Sequence, residues 1–284
     1  MSTSTSNTIP QAIGIIAGKG VYPRLLAESA RAQGVKRITA LAFKGETDKR
    51  IESLVDAVDW INVGQLQKML DLMSQQNIAH AVMAGQITPT NLFRVRMDSR
   101  LLALLKSLDQ KNAHTIFGAI GSELASVGIE LLPANQFMEQ SMADEGVLTT
   151  TPLSDTARTD IELGFEVARV TSGLDIGQTV VIKEGTILAI EAFEGTDTTI
   201  KRAGKLAGAG ASIIKVAKPG HDMRFDIPVI GLNTLRSLKK IQASALAVEA
   251  GRCILLEKDK IIKQADQQGL CIAVYPPVDR ETHS

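Results

Sequence analysis

The feature that most constrains this fold is a regular alternation of short apolar runs and amphipathic segments in the first third of the chain. Apolar runs of strand length lie at Ala12–Ala17, Arg37–Phe43, 58–63 and 79–84. The segments between them, 22–33 and 66–76, carry apolar side chains at helical spacing. Strands that alternate with helices through short loops predict a parallel sheet covered by helices, and therefore an α/β fold.

The turn after the first run has the pattern G-x-G-x-x-P, formed by Gly18, Gly20 and Pro23. Glycines at such a turn let the backbone approach a phosphate at the N-terminus of a helix. Two features disfavour NAD. Pro23 replaces the third glycine of the dinucleotide pattern, and the second strand ends at Phe43-Lys44 instead of at an acid that would hold a ribose. The turn remains compatible with a nucleotide or phosphate contact.

The length of 284 residues is sufficient for two domains. The glycine-, proline- and threonine-containing stretch 133–154 marks the boundary, which predicts an N-terminal domain over 1–147 and a C-terminal domain over 148–284. The C-terminal half predicts helices over 156–172, 196–206, 235–250 and 261–268. It also predicts a hairpin of Thr179–Lys183 with 186–193 around Glu184-Gly185, and strands over 212–217, 252–256 and 270–275.

The charge and composition of the chain disfavour some classes of binding partner. The chain has 31 basic and 31 acidic residues and 4% aromatic residues, so it offers no general electrostatic attraction to nucleic acid or an anionic membrane and few base-stacking side chains. Residues 1–8 lack the pattern of a signal peptide, and no apolar run has the roughly 18 residues of a membrane span. Cys253 and Cys271 lie in apolar runs and are predicted to be buried, reduced thiols. We therefore expect a cytoplasmic protein.

Residues 213–234 concentrate charged side chains within a few positions. Pro219 and Pro228 disfavour a continuous helix there, because proline restricts the residue before it. On an extended strand, Asp222, Arg224 and Asp226 would share one face. Two carboxylates and a guanidinium on one face are typical of a site for a divalent cation and a phosphate. The alternative is a surface strand whose charges pair with one another.

A second acidic group precedes this segment. Its members are Glu191, Glu194 and Asp197, and four cations lie nearby in sequence: Arg202, Lys215, Lys218 and Arg224. Thr196 or Asp197 is predicted to cap the helix that follows. On an ideal strand the two glutamates would point to opposite faces, unless Gly195 bends the chain. Oxygen ligands without thiol or histidine partners favour Mg²⁺ or Mn²⁺ over Zn²⁺. His221, beside Asp222, is either an acid–base group or a structural hydrogen-bonding partner.

Five stretches resemble the UDP-2,3-diacylglucosamine pyrophosphatases of the LpxI type. They are AGKGVYP (17–23), DIGQTVVIKEG (175–185), AIEAFEGTD (189–197), IKVAKPGHDMRFDIPVIGLNT (214–234) and EAGRCILLE (249–257). The resemblance implies a Rossmann-like N-terminal domain and a second, mixed α/β domain. It also implies a metal-dependent hydrolysis in lipid A biosynthesis that releases UMP and 2,3-diacylglucosamine 1-phosphate (lipid X). The chain departs from the family pattern at His221, where glutamine is common, and at 112–114, where the family often has GDD.

The residue chemistry and the resemblance together give the following roles. Asp222 and Asp226 are predicted to be catalytic, through metal binding or water activation, with Glu191, Glu194 and Asp197 as further metal ligands. The predicted substrate-binding residues are Gly18, Gly20, Pro23, Thr196, Arg202, Lys215, Lys218 and Arg224. The mixture of cations and carboxylates favours cleavage of the phosphoanhydride over the sugar–phosphate bond, since nearby cations would keep a general acid ionised.

The two acyl chains of such a substrate need an apolar surface. Candidates for its lining are Leu92, Phe93, Val95 and Met97, for which a position in the core of a helix over 91–108 is the alternative. The resemblance further implies peripheral membrane contact and a homodimer. Two other functions stay open: a non-catalytic protein that binds a nucleotide-linked lipid or regulates its synthesis, and an oxidoreductase.

Overall fold

The computed structural model describes residues 9–87, 96–218, 220 and 222–277, which fold into two compact units. The N-terminal unit extends to Met138 and also includes the short segment Met223–Phe225, whereas the C-terminal unit begins at Glu139. This division lies earlier in the chain than the boundary predicted after residue 147. The reason is that strand Gly146–Val147 already pairs within the sheet of the C-terminal unit.

The sheet of the N-terminal unit is entirely parallel. Its strands are β1 (Ala12–Ala17), β2 (Arg37–Phe43), β3 (Ala57–Ile61), β4 (His80–Ala84) and β5 (Glu130–Leu131), in the spatial order β3-β2-β1-β4-β5. This is the order of the first five strands of a Rossmann-type fold. The central strands β1 and β2 are buried almost throughout, as expected for strands covered on both faces. The predicted α/β fold is therefore confirmed here.

The helices described in this unit are α1 (Tyr22–Ala32), α2 (Leu66–Gln75), α3 (Ser99–Ser107) and α4 (Ala113–Ser126). The predicted helix 91–108 begins at Ser99 within the described residues, because the side chain of Asp98 accepts a hydrogen bond from the amide of Leu101 and caps it. Met97 packs against the core of the unit, which agrees with the core alternative. Leu92, Phe93 and Val95 lie outside the described residues.

The C-terminal unit has a mixed sheet. Its strands in chain order are β6 (Gly146–Val147), β7 (Thr179–Lys183), β8 (Thr186–Ile190), β9 (Ser212–Lys215), β10 (Val229–Ile230), β11 (Ala245–Glu249), β12 (Ile254–Leu255) and β13 (Cys271–Tyr275). The main sheet has the order β6-β13-β11-β9-β7-β8, and β10 pairs separately with β12. Strands β9, β11 and β13 are parallel, whereas β6 and β7 run antiparallel to their neighbours and β8 runs antiparallel to β7.

Helices cover both faces of this sheet. They are α5 (Asp155–Gly173), α6 (Thr196–Ala207), α7 (Leu232–Lys240) and α8 (Lys258–Gln268). Helix α5 buries Ile161 and Phe165 on one face. Helices α6, α7 and α8 pack on the opposite face, where Ile200, Leu235 and Ile261 join one apolar cluster. The hairpin predicted around Glu184-Gly185 is confirmed by the antiparallel pairing of β7 with β8.

The predicted helix over 235–250 is confirmed as far as Lys240 and is wrong beyond it. Helix α7 ends at Lys240, and Ala245–Glu249 form strand β11 between β9 and β13. All five residues of β11 are buried. A strand buried on both faces lacks the alternation of polar and apolar residues that marks a surface strand, so its sequence is hard to distinguish from a buried helix.

The extended strand predicted through Asp222, Arg224 and Asp226 is also wrong. Residues 222–226 form a single turn in which the amide of Asp226 donates to the carbonyl of Asp222 over 2.8 Å. The middle of this turn, Met223–Phe225, belongs to the N-terminal unit, while both aspartates belong to the C-terminal unit. The prolines exclude a continuous helix as predicted, but they permit one turn.

Both cysteines are free and buried, as predicted. Burial raises the pKa of the Cys253 thiol to about 12. None of the described helices combines the length and apolar character needed to cross a membrane.

Candidate active site

The topology of the C-terminal unit gathers polar residues at one edge of its main sheet. Strands β8 and β9 end at this edge, and β7 begins there because it is antiparallel to both neighbours. Strand β11, parallel to β9, also ends at this edge. Five residues separate the end of β8 at Ile190 from the start of helix α6 at Thr196. The carboxyl ends of parallel strands are a common location of ligand sites in α/β sheets.

Three residues predicted from sequence are joined there by hydrogen bonds. The hydroxyl of Thr196 donates to Oε1 of Glu191 over 2.9 Å, and Nζ of Lys215 donates to the same hydroxyl over 2.8 Å. Lys215 is a buried cation at the last position of β9. A buried ammonium beside a carboxylate and a hydroxyl provides fixed positive charge for an anionic ligand at this edge.

Glu194 and Arg202 are bound to each other. Nη2 of Arg202 donates to Oε1 of Glu194 over 2.8 Å and to the carbonyl of Ile190 over 2.9 Å. The hydrogen bond from Arg202 is the largest cause that lowers the pKa of the Glu194 carboxyl below its usual value. Oε2 of Glu194 accepts from the amide of Ala192 over 3.2 Å. Glu194 could bind a metal, and Arg202 a phosphate, as predicted, only if this ion pair were broken.

Three side-chain oxygens near the edge are buried without a hydrogen-bond partner in the part of the chain that the structure describes. They are Oε1 of Gln178, Oε2 of Glu191 and Oδ1 of Asp197. A buried polar atom without a partner is costly, and such atoms in folded proteins point to a bound ion, water or ligand. The capping prediction for Thr196 and Asp197 is wrong, because Gly195 is the N-cap and both residues lie in the first turn of α6.

Three further residues of this edge were not singled out from sequence: Asp175, Glu249 and Arg169. Nζ of Lys218 forms an ion pair with Oδ1 of Asp175 over 2.6 Å. The buried Glu249 at the end of β11 accepts from the amide of Ala217 over 3.0 Å, and its other oxygen lies 3.6 Å from Arg169. Glu249 was detectable as a lone acid that ends a buried apolar run, a position that requires a partner. Arg169 had no such signal.

Gly177, two residues before β7, explains how Gln178 and Glu191 come close together. A Cβ atom on Gly177 would overlap the backbone carbonyl of Glu191. The glycine therefore allows the segment before β7 to pass directly against the end of β8.

Asp222 and Asp226 stand at the two ends of the turn described above, and His221 lies outside the described residues. Arg224 lies in the middle of the same turn, in the segment Met223–Phe225 that belongs to the N-terminal unit. Its guanidinium lies beside Gly121 of α4 and 5.7 Å from the centroid of the Phe225 ring. The common face of Asp222, Arg224 and Asp226 that the sequence predicted is therefore not formed by a strand.

The glycine turn after β1 makes close backbone contacts with the residues after β4. The amide of Gly18 donates to the carbonyl of Ala84 over 2.8 Å, and the amide of Lys19 donates to that of Gln86 over 2.6 Å. A Cβ on Gly18 would lie 2.6 Å from the Gln86 carbonyl oxygen, which only glycine avoids. Pro23 removes one amide donor from the first turn of α1. These contacts explain Gly18 by packing, and a phosphate contact at Gly20 stays a prediction.

Comparison with known families covers both units. Residues 12–141 match the LpxI N-terminal domain, and residues 144–273 match the LpxI C-terminal domain. This chain belongs to the LpxI family. A curated relative, the UDP-2,3-diacylglucosamine pyrophosphatase LpxI of Caulobacter vibrioides, is 27% identical over 279 residues, which span 94% of this chain and 99% of the relative.

The similarity of this LpxI-family chain to one solved structure is weak. The biotin carboxylase domain of 2-oxoglutarate carboxylase from Hydrogenobacter thermophilus is 12% identical, with a TM-score of 0.29 over 71% of this chain and 42% of that one. A likeness at this level carries no argument about fold or function. The fold of the LpxI-family chain therefore rests on its own strand order.

At 112–114, where the sequence departs from the family pattern, Asn112 has a structural role. Its side-chain oxygen accepts from the amide of Thr115 over 2.8 Å and caps α4. The ring of His114 lies 5.8 Å from that of Phe225, centroid to centroid. These contacts give Asn112 and His114 local partners within the N-terminal unit of the LpxI-family chain.

The donor chemistry of the site fits a hard divalent cation. Glu191 and Asp197 each present a buried carboxylate oxygen without a partner. Within the described ranges, no group of three or more His, Cys, Asp or Glu residues is arranged to hold a metal. Mg²⁺ is commonly held by only one or two carboxylates, with water and substrate phosphate oxygens as its other ligands. In donor type, carboxylate oxygens without thiol or imidazole partners suit Mg²⁺ better than Zn²⁺.

Proposed function

We propose that this protein hydrolyses the pyrophosphate of UDP-2,3-diacylglucosamine, releasing UMP and 2,3-diacylglucosamine 1-phosphate (lipid X) for lipid A biosynthesis. The observation that carries the proposal is the match of both units to the two LpxI domains, together with a pyrophosphatase relative that aligns over almost the whole chain. The polar edge of the C-terminal sheet supports it with chemistry suited to phosphates.

The role of the cations follows from their position. Lys215 is buried and held by Thr196, and Lys218 is held by Asp175, so both ammonium groups are oriented before a ligand binds. Fixed positive groups stabilise the negative charge that develops on phosphate oxygens in the transition state, and they need no reorganisation during the reaction. Arg224 and Arg202 remain proposed phosphate contacts, of which Arg202 would have to exchange its bond to Glu194.

The reaction is proposed to depend on Mg²⁺ or Mn²⁺. Glu191 and Asp197 would hold the cation, and Asp222 and Asp226 would complete the set or orient the attacking water. When bound, such a cation neutralises charge on the phosphate oxygens and makes the phosphorus a better electrophile. Glu194 is the weakest candidate ligand, since both of its oxygens accept hydrogen bonds within its own segment.

The bond that breaks is proposed to be the anhydride between the two phosphorus atoms. Cleavage of the sugar–phosphate bond instead would need a carboxyl kept protonated as a general acid. Lys215 and Lys218 instead place fixed positive charge at this edge, which suits the anionic oxygens of a diphosphate. We further propose that water attacks the phosphorus on the lipid side, which leaves UMP as the departing group.

One assay tests the function and the bond together. The purified protein is incubated with UDP-2,3-diacylglucosamine and Mg²⁺ in ¹⁸O-water, and the products are analysed by mass spectrometry. We expect UMP and a diacylglucosamine phosphate that carries the label. Label in UMP would move the attack to the nucleotide side, and release of UDP would contradict anhydride cleavage. Substrate binding without turnover would favour the non-catalytic alternative.

Three further properties of the protein remain predictions. We expect a homodimer and a cytoplasmic location, and we expect peripheral contact with membranes because the proposed substrate carries two acyl chains. Light scattering of the purified protein reports the oligomeric state. Saturable binding of NAD in the micromolar range would instead support an oxidoreductase.

A further inference from the structure

The outer surface of α6 and the end of α7 form a groove, and Arg202 is the one residue of its described lining that the catalytic proposal uses. Its volume is about 650 Å³. The lining comes from one face of α6 and from the residues around the end of α7: Thr198, Lys201, Arg202, Gly204, Lys205, Gly208, Ala209, Lys240, Ile241 and Gln242. This groove lies entirely within the C-terminal unit.

The charge of this groove is one-sided. Lys201, Lys205 and Lys240 are exposed, Arg202 adds a fourth cation, and the described lining contains no acidic residue. Within the described residues, Arg202 is the one of these four cations that pairs with an acid, Glu194. The whole chain has a formal net charge of zero, so this local excess is invisible in the composition. Clustered cations with few counter-charges attract polyanionic surfaces.

Large apolar side chains are exposed near both ends of helix α6. Phe193, three residues before α6, is 65% exposed, and Leu206, in the last turn of α6, is 66% exposed. Surface cations with flanking exposed aromatic and aliphatic side chains are typical of helices that lie on a membrane, where lysines contact headgroups and apolar side chains enter the interface.

We infer that this basic face, defined by Lys201, Lys205 and Lys240 with Phe193 and Leu206, docks the protein on a bilayer that contains anionic phospholipids. The inference rests on the proposed function in one respect, since the diacyl substrate resides in a bilayer. The same helix α6 carries Thr196 and Asp197 of the candidate active site in its first turn. Docking through α6 therefore keeps that end of the helix close to the membrane that contains the substrate.

The test is binding to vesicles, which needs no substrate. Vesicles of phosphatidylcholine with about 30% phosphatidylglycerol are compared with vesicles of phosphatidylcholine alone at low salt, where surface attraction is least screened. We expect binding to the anionic vesicles only. The triple variant K201Q/K205Q/K240Q should bind them roughly a hundredfold more weakly, because each basic side chain near such a surface contributes about a fivefold factor.

The matched control is K36Q/K49Q/K68Q, which changes the net charge equally at exposed lysines of the N-terminal unit. We expect it to bind anionic vesicles like the unmodified protein. The inference is overturned if the control loses binding equally, if the groove variant binds normally, or if the unmodified protein ignores the anionic vesicles. Binding of free inorganic phosphate in the groove without vesicle binding would also overturn it, in favour of a small-anion site.

Hydrolysis measured in parallel separates this inference from the proposed function. With substrate dispersed in detergent micelles, the groove variant should retain its turnover, since its three lysines lie outside the candidate active site. Loss of vesicle binding with retained turnover supports both proposals. Normal vesicle binding without hydrolysis of UDP-2,3-diacylglucosamine would contradict the proposed function but not the docking inference.

Discussion

The strand ends of the two units differ in what their polar groups contact. After β1, the amides of Gly18 and Lys19 donate hydrogen bonds to the carbonyls of Ala84 and Gln86. These two amides therefore stabilise the packing of the turn and are not available to a ligand. At the edge of the C-terminal sheet, Glu191 and Asp197 keep buried oxygens without a partner in the described part of the chain. The comparison teaches that a glycine pattern alone does not identify a binding site, whereas unsatisfied buried oxygens do point to a ligand.

The largest effect expected from this comparison is in the C-terminal unit. Asp226→Ala should lower turnover of UDP-2,3-diacylglucosamine by about a hundredfold or more, the magnitude expected for loss of a general base or a water-orienting carboxylate. The midpoint of thermal unfolding should change little. Asp109→Ala, at an exposed position of the N-terminal unit, is the control and should keep full turnover. Activity within a few-fold of the unmodified protein would refute the catalytic role.

A smaller effect is expected at the orphaned oxygens. Glu191→Gln should raise the Mg²⁺ concentration needed for half-maximal turnover by about tenfold or more, because it replaces a charged oxygen donor. Glu194→Gln is the matched control and should leave that concentration nearly unchanged, since its carboxylate is held by Arg202. Turnover measured over a range of Mg²⁺ concentrations distinguishes the two variants. An equal rise in the required Mg²⁺ concentration for both variants would contradict the assignment of Glu191 as a metal ligand.

The packing interpretation of the N-terminal turn predicts an effect on stability. Gly18→Ala should lower the free energy of unfolding by about 1–3 kcal/mol, because the added Cβ would meet a backbone carbonyl that cannot move freely. Gly173→Ala, where the added Cβ meets nothing within 4 Å, is the control and should be neutral or slightly stabilising. Urea unfolding measures both. Unchanged stability with weaker substrate binding would show that Gly18 serves the ligand instead.

The smallest expected effect concerns the ion pair of Glu194 with Arg202. Because its folded-state pKa is lowered, the Glu194 carboxylate stabilises the fold above its ordinary pKa of 4.5, and this contribution is lost as pH falls through the lowered value. The pair is largely exposed, so Glu194→Gln should cost only about 0.5 kcal/mol near neutral pH. Urea unfolding of both proteins should show the difference vanish in acid. A difference that grows in acid would contradict the assigned sign.

Much of the fold followed from local patterns. The apolar runs Ala12–Ala17 and Arg37–Phe43 are strands with the predicted limits, and Glu184-Gly185 turns the predicted hairpin. These elements are short and bounded by glycine or polar residues, and their composition is typical of strands. Residues 245–249 escaped prediction because β11 is buried between two other strands, and burial on both faces removes the period that would identify it.

The sequence predicted some residues of the candidate site but not how the fold brings them together. Glu191, Thr196 and Lys215 were all named from sequence, and the structure joins them by hydrogen bonds. Their joining depends on β8 and β9 ending at one edge, a consequence of the strand order. The strand order was also needed to identify two ion pairs, that of Lys218 with Asp175 and that of Glu249 with Arg169.

The sequence by itself determined the α/β class, the hairpin and the chemical types available for a phosphate site, since these depend on periodicity, turn residues and side-chain chemistry. Only the tertiary structure decided which charges meet. It tied Arg202 to Glu194, left single oxygens of Glu191 and Asp197 unsatisfied, and collected Lys201, Lys205 and Lys240 on one surface of a chain with no net charge. Electrostatic interactions act through distance in space, and the fold sets that distance independently of separation along the chain.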